Sequence, residues 1–201
     1  MRIRTAALAA AVVAGLTGQA SAQQAPAQKV LRYAPAADLT LLYPIVVTAL
    51  VTAEYGMMVY DTLFAFDATM NMKPQMVQSH SVSPDGLTYT FKLRPGLKFH
   101  NGQPVTSADV IPSIQRFMKR DPLARRMAAA LASFDADGDS GFRIVLKQPF
   151  PFVEMVLGWS GYGMAAIYPK ADAEADAMKP ITASTGSGTF KFIAADRKSV
   201  V

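Results

Sequence analysis

"KFHNGQPVTSADV", residues 98–110, decides how the rest of the chain is read. It places His100, Asn101, Gly102, Thr106 and Asp109 within a dozen positions, a density that invites a catalytic or metal-binding reading as readily as a scaffold. The local signals are those of a scaffold. Asn101-Gly102 is a turn dipeptide. Thr106 stands where a helix N-cap belongs, and the Asp109 carboxylate three residues on can accept from the Thr106 backbone N–H, the arrangement of a capping box. The spacing of Val110, Ile111, Ile114, Phe117 and Met118 predicts the helix itself, over residues 107–120. Pro112 conflicts with it by removing one helical hydrogen bond, so a kink or a short first turn is expected.

Working outward, Pro95-Gly96 and Asn101-Gly102 isolate "LKFH" as a short strand. Upstream, Pro84-Asp85-Gly86 presets the dihedrals of a tight turn, and Tyr89, Phe91 and Leu93 alternate after it, which predicts a β-hairpin. Before that, "KVLRYA" (29–34) reads as a strand, and residues 35–44, bracketed by Pro35 and Pro44, read as a loop. Val47, Leu50, Val51, Met57, Met58, Val59 and Leu63 suit a buried helix running into a strand at 63–66. Downstream, Asp121-Pro122 caps a second helix through "LARRMAAALASF". "FDADGDSGFRIVLKQP" is a hairpin, residues 151–157 begin a short helix, and "GSGTFKFIAAD" reads as an incipient strand. The pattern is α+β, rich in hairpins, rather than regular βαβ alternation.

The chain opens "MRIRTAALAAAVVAGLTGQASAQQ": two arginines, an apolar run over 6–16, and the Ala20-Ser21-Ala22 triplet. That order is a cleavable export signal, giving a division into 1–22 and a mature domain over 23–201. The run is shorter than the ~20 residues a spanning helix needs. The formal net charge of +5 includes two arginines of the signal; without them it is +3. Aromatic residues are not interleaved with the basic doublets, so nucleic acid is not an expected partner. With no cysteine, disulfides and thiol chemistry are excluded. "DRKSVV" ends on apolar residues with no turn or cap, and the chain is expected to stop while a strand or hairpin is still being built.

Tests for site chemistry come back empty. His80 and His100 belong to no closely spaced ligand set, so no metal site is expected. "GWSGY" (158–162) lacks the second glycine of a nucleophile elbow. "GSG" (186–188) matches neither phosphate-cradling pattern, and "DADGD" (135–139) lacks a glutamate at the twelfth calcium-loop position, which is Leu146. No cofactor and no catalytic residue is assigned. "LGWSGYG" sets Trp159 and Tyr162 among glycines, where they can line a ligand cleft or form part of a core.

Three segments now carry a resemblance: "VYDTLFAFD" (59–67), "VSPDGLTYTFKLRPGLKFHNGQPVTSADV" (82–110) and "TGSGTFKF" (185–192). In order and spacing they resemble the family 5 solute-binding proteins of ABC importers, the dipeptide, oligopeptide and nickel-binding type. Where that family usually has proline, after the second glycine of its G-T-G-P motif, this chain has Thr189. The resemblance implies a periplasmic-binding-protein type II-like fold, of which residues 23–201 supply part of the N-terminal lobe, the second lobe being absent. It makes His100 and Asp109 parts of the scaffold. It also implies a periplasmic protein, monomeric at full length, that captures a peptide-like or other small solute by hinge closure and delivers it to ABC permease subunits in the inner membrane. Asp38 and Leu39, in the loop where the family approaches its ligand, join Trp159 and Tyr162 as candidate ligand-binding residues; Asp38 can equally serve as a loop cap. A periplasmic hydrolase or metalloenzyme, which would carry catalytic activity or stoichiometric metal, and a non-functional truncated fragment are the alternatives. A fragment presenting one open face is expected to bind solute weakly and to expose strand edges.

The signal reading is checked by N-terminal sequencing of protein from a periplasmic extract. The expected first residue is Gln23; an uncleaved, membrane-bound chain contradicts it.

Overall fold

The computed structural model describes residues 32–45, 49–160 and 163–193. The chain divides into residues 1–34 and 35–201; only 32–34 of the first unit are described, and the architecture below is that of the second. Most of the strand expected at 29–34 therefore lies outside the described residues, as do Val47, Tyr162 and the end of the chain from 194.

The elements run α1 (Leu50–Val59), β1 (Phe64–Phe66), β2 (Met72–Pro74), β3 (Val77–Val82), β4 (Thr88–Leu93), α2 (Ser107–Met118), α3 (Pro122–Ala130), β5 (Leu131–Asp137), β6 (Gly141–Leu146), α4 (Val153–Gly158) and α5 (Lys170–Glu174). β1 and β2 form an antiparallel pair, and the other four strands form an antiparallel sheet in the order β3-β4-β6-β5. Alternation divides this sheet into two faces. Phe91, Leu93, Phe142, Ile144 and Leu146 are buried, whereas Ser79, Ser81, Lys92, Arg143 and Asp135 face solvent. Register then lines up the aromatics on the inner face. Phe91 pairs with Phe142, their rings stacked 4.8 Å apart, and Phe64 meets Phe91 edge-on at 6.0 Å. Such pairs contribute roughly 0.5–1.5 kcal/mol beyond their buried area.

The β3–β4 turn forms as its residues dictate. Gly86 takes φ +70°, which a side chain would strain, and the Asp85 carboxylate accepts from the Leu87 N–H at 3.0 Å. α2 begins as expected: the Thr106 N–H and hydroxyl both donate to Asp109 Oδ2 at 2.8 Å. The helix continues past Pro112 to Met118 without a break. The proline costs the carbonyl of Ala108 its helical partner, and Ala108 is exposed, so water can replace it. α3 starts at Pro122 with the Asp121 carboxylate accepting from the Ala124 N–H at 2.9 Å.

Four expectations need correction. The second helix stops at Ala130, and Leu131–Phe134 belong to β5, because Phe134 pairs opposite Ile144 and completes the sheet's buried face. "LKFH" is no strand but a single bridge, Lys98 to Pro104, since two tight turns leave no room for a ladder. Of the incipient strand expected over 186–196, residues 194–196 lie outside the described residues and 186–191 form no strand; the N–H groups of Gly188 and Phe190 bond instead to the end of α1. Leu50 and Met57 are 62% and 53% exposed rather than buried.

α2 has a second buried stripe besides its apolar one. Asp109, Ser113 and Arg116, spaced i, i+4 and i+7, face residues 168–179. Asp109 Oδ1 accepts from the Lys170 N–H at 2.9 Å, and the Ser113 hydroxyl bonds both the N–H and the C=O of Tyr168. Arg116, only 2% exposed, donates from Nε to the Tyr43 hydroxyl at 2.9 Å. Its remaining donors reach the carbonyls of Ala173, Ala175, Asp176 and Lys179. The guanidinium thus caps the C-terminal end of α5.

Arg116→Met keeps the length of the side chain but strands a buried hydroxyl and several carbonyls. It is expected to destabilise the fold by about 3 kcal/mol or more, whereas Thr106→Ala, which leaves the backbone half of the capping box, costs about 1 kcal/mol. Thermal and urea melts of both variants check the ranking; equal losses contradict it.

Candidate functional site

The opening stretch is pinned to the glycine-containing segment 186–188. The His100 N–H donates to the Gly186 carbonyl and His100 Nε2 donates to the Gly188 carbonyl, each at 2.8 Å. The same segment satisfies the last carbonyls of α1: Gly188 N–H donates to Val59 and Phe190 N–H to Met58. A Cβ on Gly186 would fall 1.9 Å from the Val59 oxygen, so only glycine permits this approach. His100 therefore holds the 98–110 stretch against residues 186–188, while its Nδ1 is buried with no hydrogen-bond partner among the described residues.

Asp61 lies beside this seam. Its Oδ1 accepts from the Gln75 amide at 2.8 Å. Burial raises its pKa, while the Ser187 hydroxyl and the nearby His100 pull it back. His80 is equally committed: its Nε2 meets Glu154 Oε1 at 2.8 Å, and its ring stacks on Phe91. Among the described residues, no cluster of three or more His, Asp or Glu could hold a metal ion.

Asp38 is exposed in the loop over 35–44, and Leu39 packs half-buried at the edge of the core. Leu39 helps line a cavity of about 290 Å³ with Leu42, Thr182, Ser184 and Phe192. Trp159 lines a separate and larger cavity of about 580 Å³. Leu39 and Trp159 are thus not brought together, and Tyr162 lies outside the described residues. The larger cavity has walls that sequence reading missed: Met57, Tyr60, Phe66, Met70 and Met164. The density of methionine in "GMMVYDTLFAFDATMNM" was the available signal. Trp159 is fixed by its carbonyl, which accepts from the Ala165 N–H at 2.9 Å, while its indole Nε1 is buried with no hydrogen-bond partner among the described residues.

Among the described residues no helix is long and apolar enough to cross a membrane. The family model "Bacterial extracellular solute-binding proteins, family 5 Middle" matches residues 71–201. A probable peptide ABC transporter periplasmic-binding protein, y4tO, of Sinorhizobium fredii is 35% identical over 77% of this chain and 29% of its own length. The glutathione-binding protein GsiB of Pectobacterium atrosepticum is 32% identical over 69% of this chain and 27% of its own. The chain thus spans less than a third of either relative. Among solved structures, AgaA in complex with agropinic acid, from A. tumefaciens R10, matches 77% of this chain and 31% of its own, with a TM-score of 0.66 and 26% identity. DppA from Helicobacter pylori in complex with the peptide STSA matches 78% of this chain and 35% of its own, with a TM-score of 0.61 and 27% identity. The fold is that of part of a type II periplasmic binding protein, and the chain belongs to the family 5 bacterial extracellular solute-binding proteins.

Proposed function

We propose that the protein is the substrate-binding component of an ABC importer, which captures a peptide-like or other small solute in the periplasm and delivers it to membrane permease subunits. The observation that carries the reading is the family match over residues 71–201. Relatives named for peptide and glutathione binding support the solute class. The protein works without covalent chemistry, by closure of a cleft around the solute, and is monomeric at full length. Asp38, Leu39, Trp159 and Tyr162 are the residues proposed to line that cleft. Residues 1–22 act as the export signal, and 23–201 form part of the N-terminal lobe.

A protein of the relatives' length carrying these residues should bind one member of a dipeptide, oligopeptide and small-solute panel with a stoichiometry of one in calorimetric titration. It should release no product. His100→Ala should lower its melting temperature but leave the affinity nearly unchanged, because His100 bonds only scaffold carbonyls. Turnover of any panel member, or a large affinity loss in the His100 variant, contradicts the reading.

A further inference from the structure

The 580 Å³ cavity beside Trp159 has a chemical character that the family assignment does not specify. Its walls are soft and polarizable: the thioethers of Met57, Met70 and Met164 with the rings of Tyr60, Phe66 and Trp159. Met57 and Met70 are 53% and 71% exposed, so two large apolar side chains stand at the rim without full packing. Methionine suits such a site because its flexible thioether adapts to varied apolar shapes and makes favourable contacts with aromatic rings.

The rim is held in place. Asp67 Oδ1 accepts from the Thr69 N–H, the Thr69 hydroxyl and the Asn71 N–H, all within 2.9 Å. That turn forces Met70 to φ +61°, a conformation strained for a side-chain-bearing residue. Strain of this kind persists only where surrounding bonds over-determine it. Among the described residues Asp67 is also the one carboxylate lining the cavity, and these hydrogen bonds lower its pKa and keep it charged at neutral pH. Lys73 acts on it only through space; among the described residues no ion pair joins them. Aromatic faces attract cations and a carboxylate pairs with them, so walls and rim favour the same sign of charge.

We infer that this cavity is a subsite for an organic cation: an apolar, preferably aromatic, body inserted among the methionines and Trp159, with an ammonium or guanidinium group at Asp67. The inference rests on the solute-binding reading and narrows it, since a peptide-like solute with a cationic side chain or amine would meet both requirements.

Trp159 is the only tryptophan of the chain, so its fluorescence reports on the cavity directly. Phenethylamine, phenylacetate and ethylamine separate the two requirements. Phenethylamine should change Trp159 emission saturably, phenylacetate should bind at least threefold more weakly, and ethylamine should leave the emission unchanged. Asp67→Asn retains the oxygen that accepts the turn's hydrogen bonds and removes the charge; it should weaken phenethylamine about threefold, as for an exposed ion pair. Met57→Lys, at an exposed position, should weaken it tenfold or more by placing a cation at the rim. Circular dichroism confirms that both variants fold, and either alone suffices. Equal binding of phenylacetate and phenethylamine, or variants that bind like the parent, overturns the subsite. Calorimetry of the solute panel separates the two claims. Solute binding with no response to phenethylamine sinks the subsite alone; a phenethylamine response with no solute bound sinks the transport reading.

Discussion

The fold depends on the buried polar stripe of α2. Asp109, Ser113 and Arg116 lie along one side of the helix and hold residues 168–179 entirely through backbone groups. A buried guanidinium is costly to desolvate, and no carboxylate bonds it among the described residues; carbonyl dipoles and the Tyr43 hydroxyl and ring take that place. The geometry makes this workable. A planar fork with five donors can meet several carbonyls at the end of a short helix, which a lysine could not do. α5 is only five residues long and has no side-chain N-cap, so its placement comes from this contact and not from intrinsic helicity.

From that anchorage the chain returns to the start of the fold. With residues 173–179 fixed on α2, the following segment passes between the end of α1 and the turn at His100, supplying donors to one and carbonyls to the other. The approach is so close that the glycines at 186 and 188 are required. Asp61 sits in the same seam, and its raised pKa has a defined consequence for stability. The folded state holds the Asp61 proton more tightly than the unfolded chain does. Its contribution is therefore favourable at acid pH and declines as pH rises from the ordinary carboxylate value through the raised one.

Much of this was legible from residue patterns, for reasons that can be stated locally. The β3–β4 hairpin, the Thr106 and Asp109 capping box, and the Asp121-Pro122 helix start each involve residues within a few positions of one another, where dihedral preference and hydrogen-bond reach decide the outcome. The misses share the opposite property. Leu131–Phe134 continue a helix-forming alanine run, and only pairing with β6 makes them a strand. Arg116 carries no signal of its burial until residues 168–179 are known to lie across it. Its i, i+4, i+7 spacing from Asp109 and Ser113 was visible, but a polar stripe is ordinarily a solvated one. The candidate site was less legible still. Trp159 was identifiable, yet its methionine and aromatic neighbours come from α1, the β1–β2 turn and the segment after α4, which no short window contains.

The polar residues of this protein divide by whether their bonding capacity is spent. Asp109 bonds on both oxygens and Arg116 uses all three nitrogens. Groups so committed cannot also bind a solute without releasing a partner, which at a buried site costs the desolvation of whatever is left behind. Around Trp159 the situation is reversed: the indole N–H has no partner among the described residues, two methionines are exposed, and a charged carboxylate stands at the rim. Recognition is possible where bonding capacity is left over. Asp109, in the dense polar motif at 98–110, is therefore unavailable to a ligand, and the apolar stretches flanking the cavity are where changes of side chain can alter what is bound without loosening the frame.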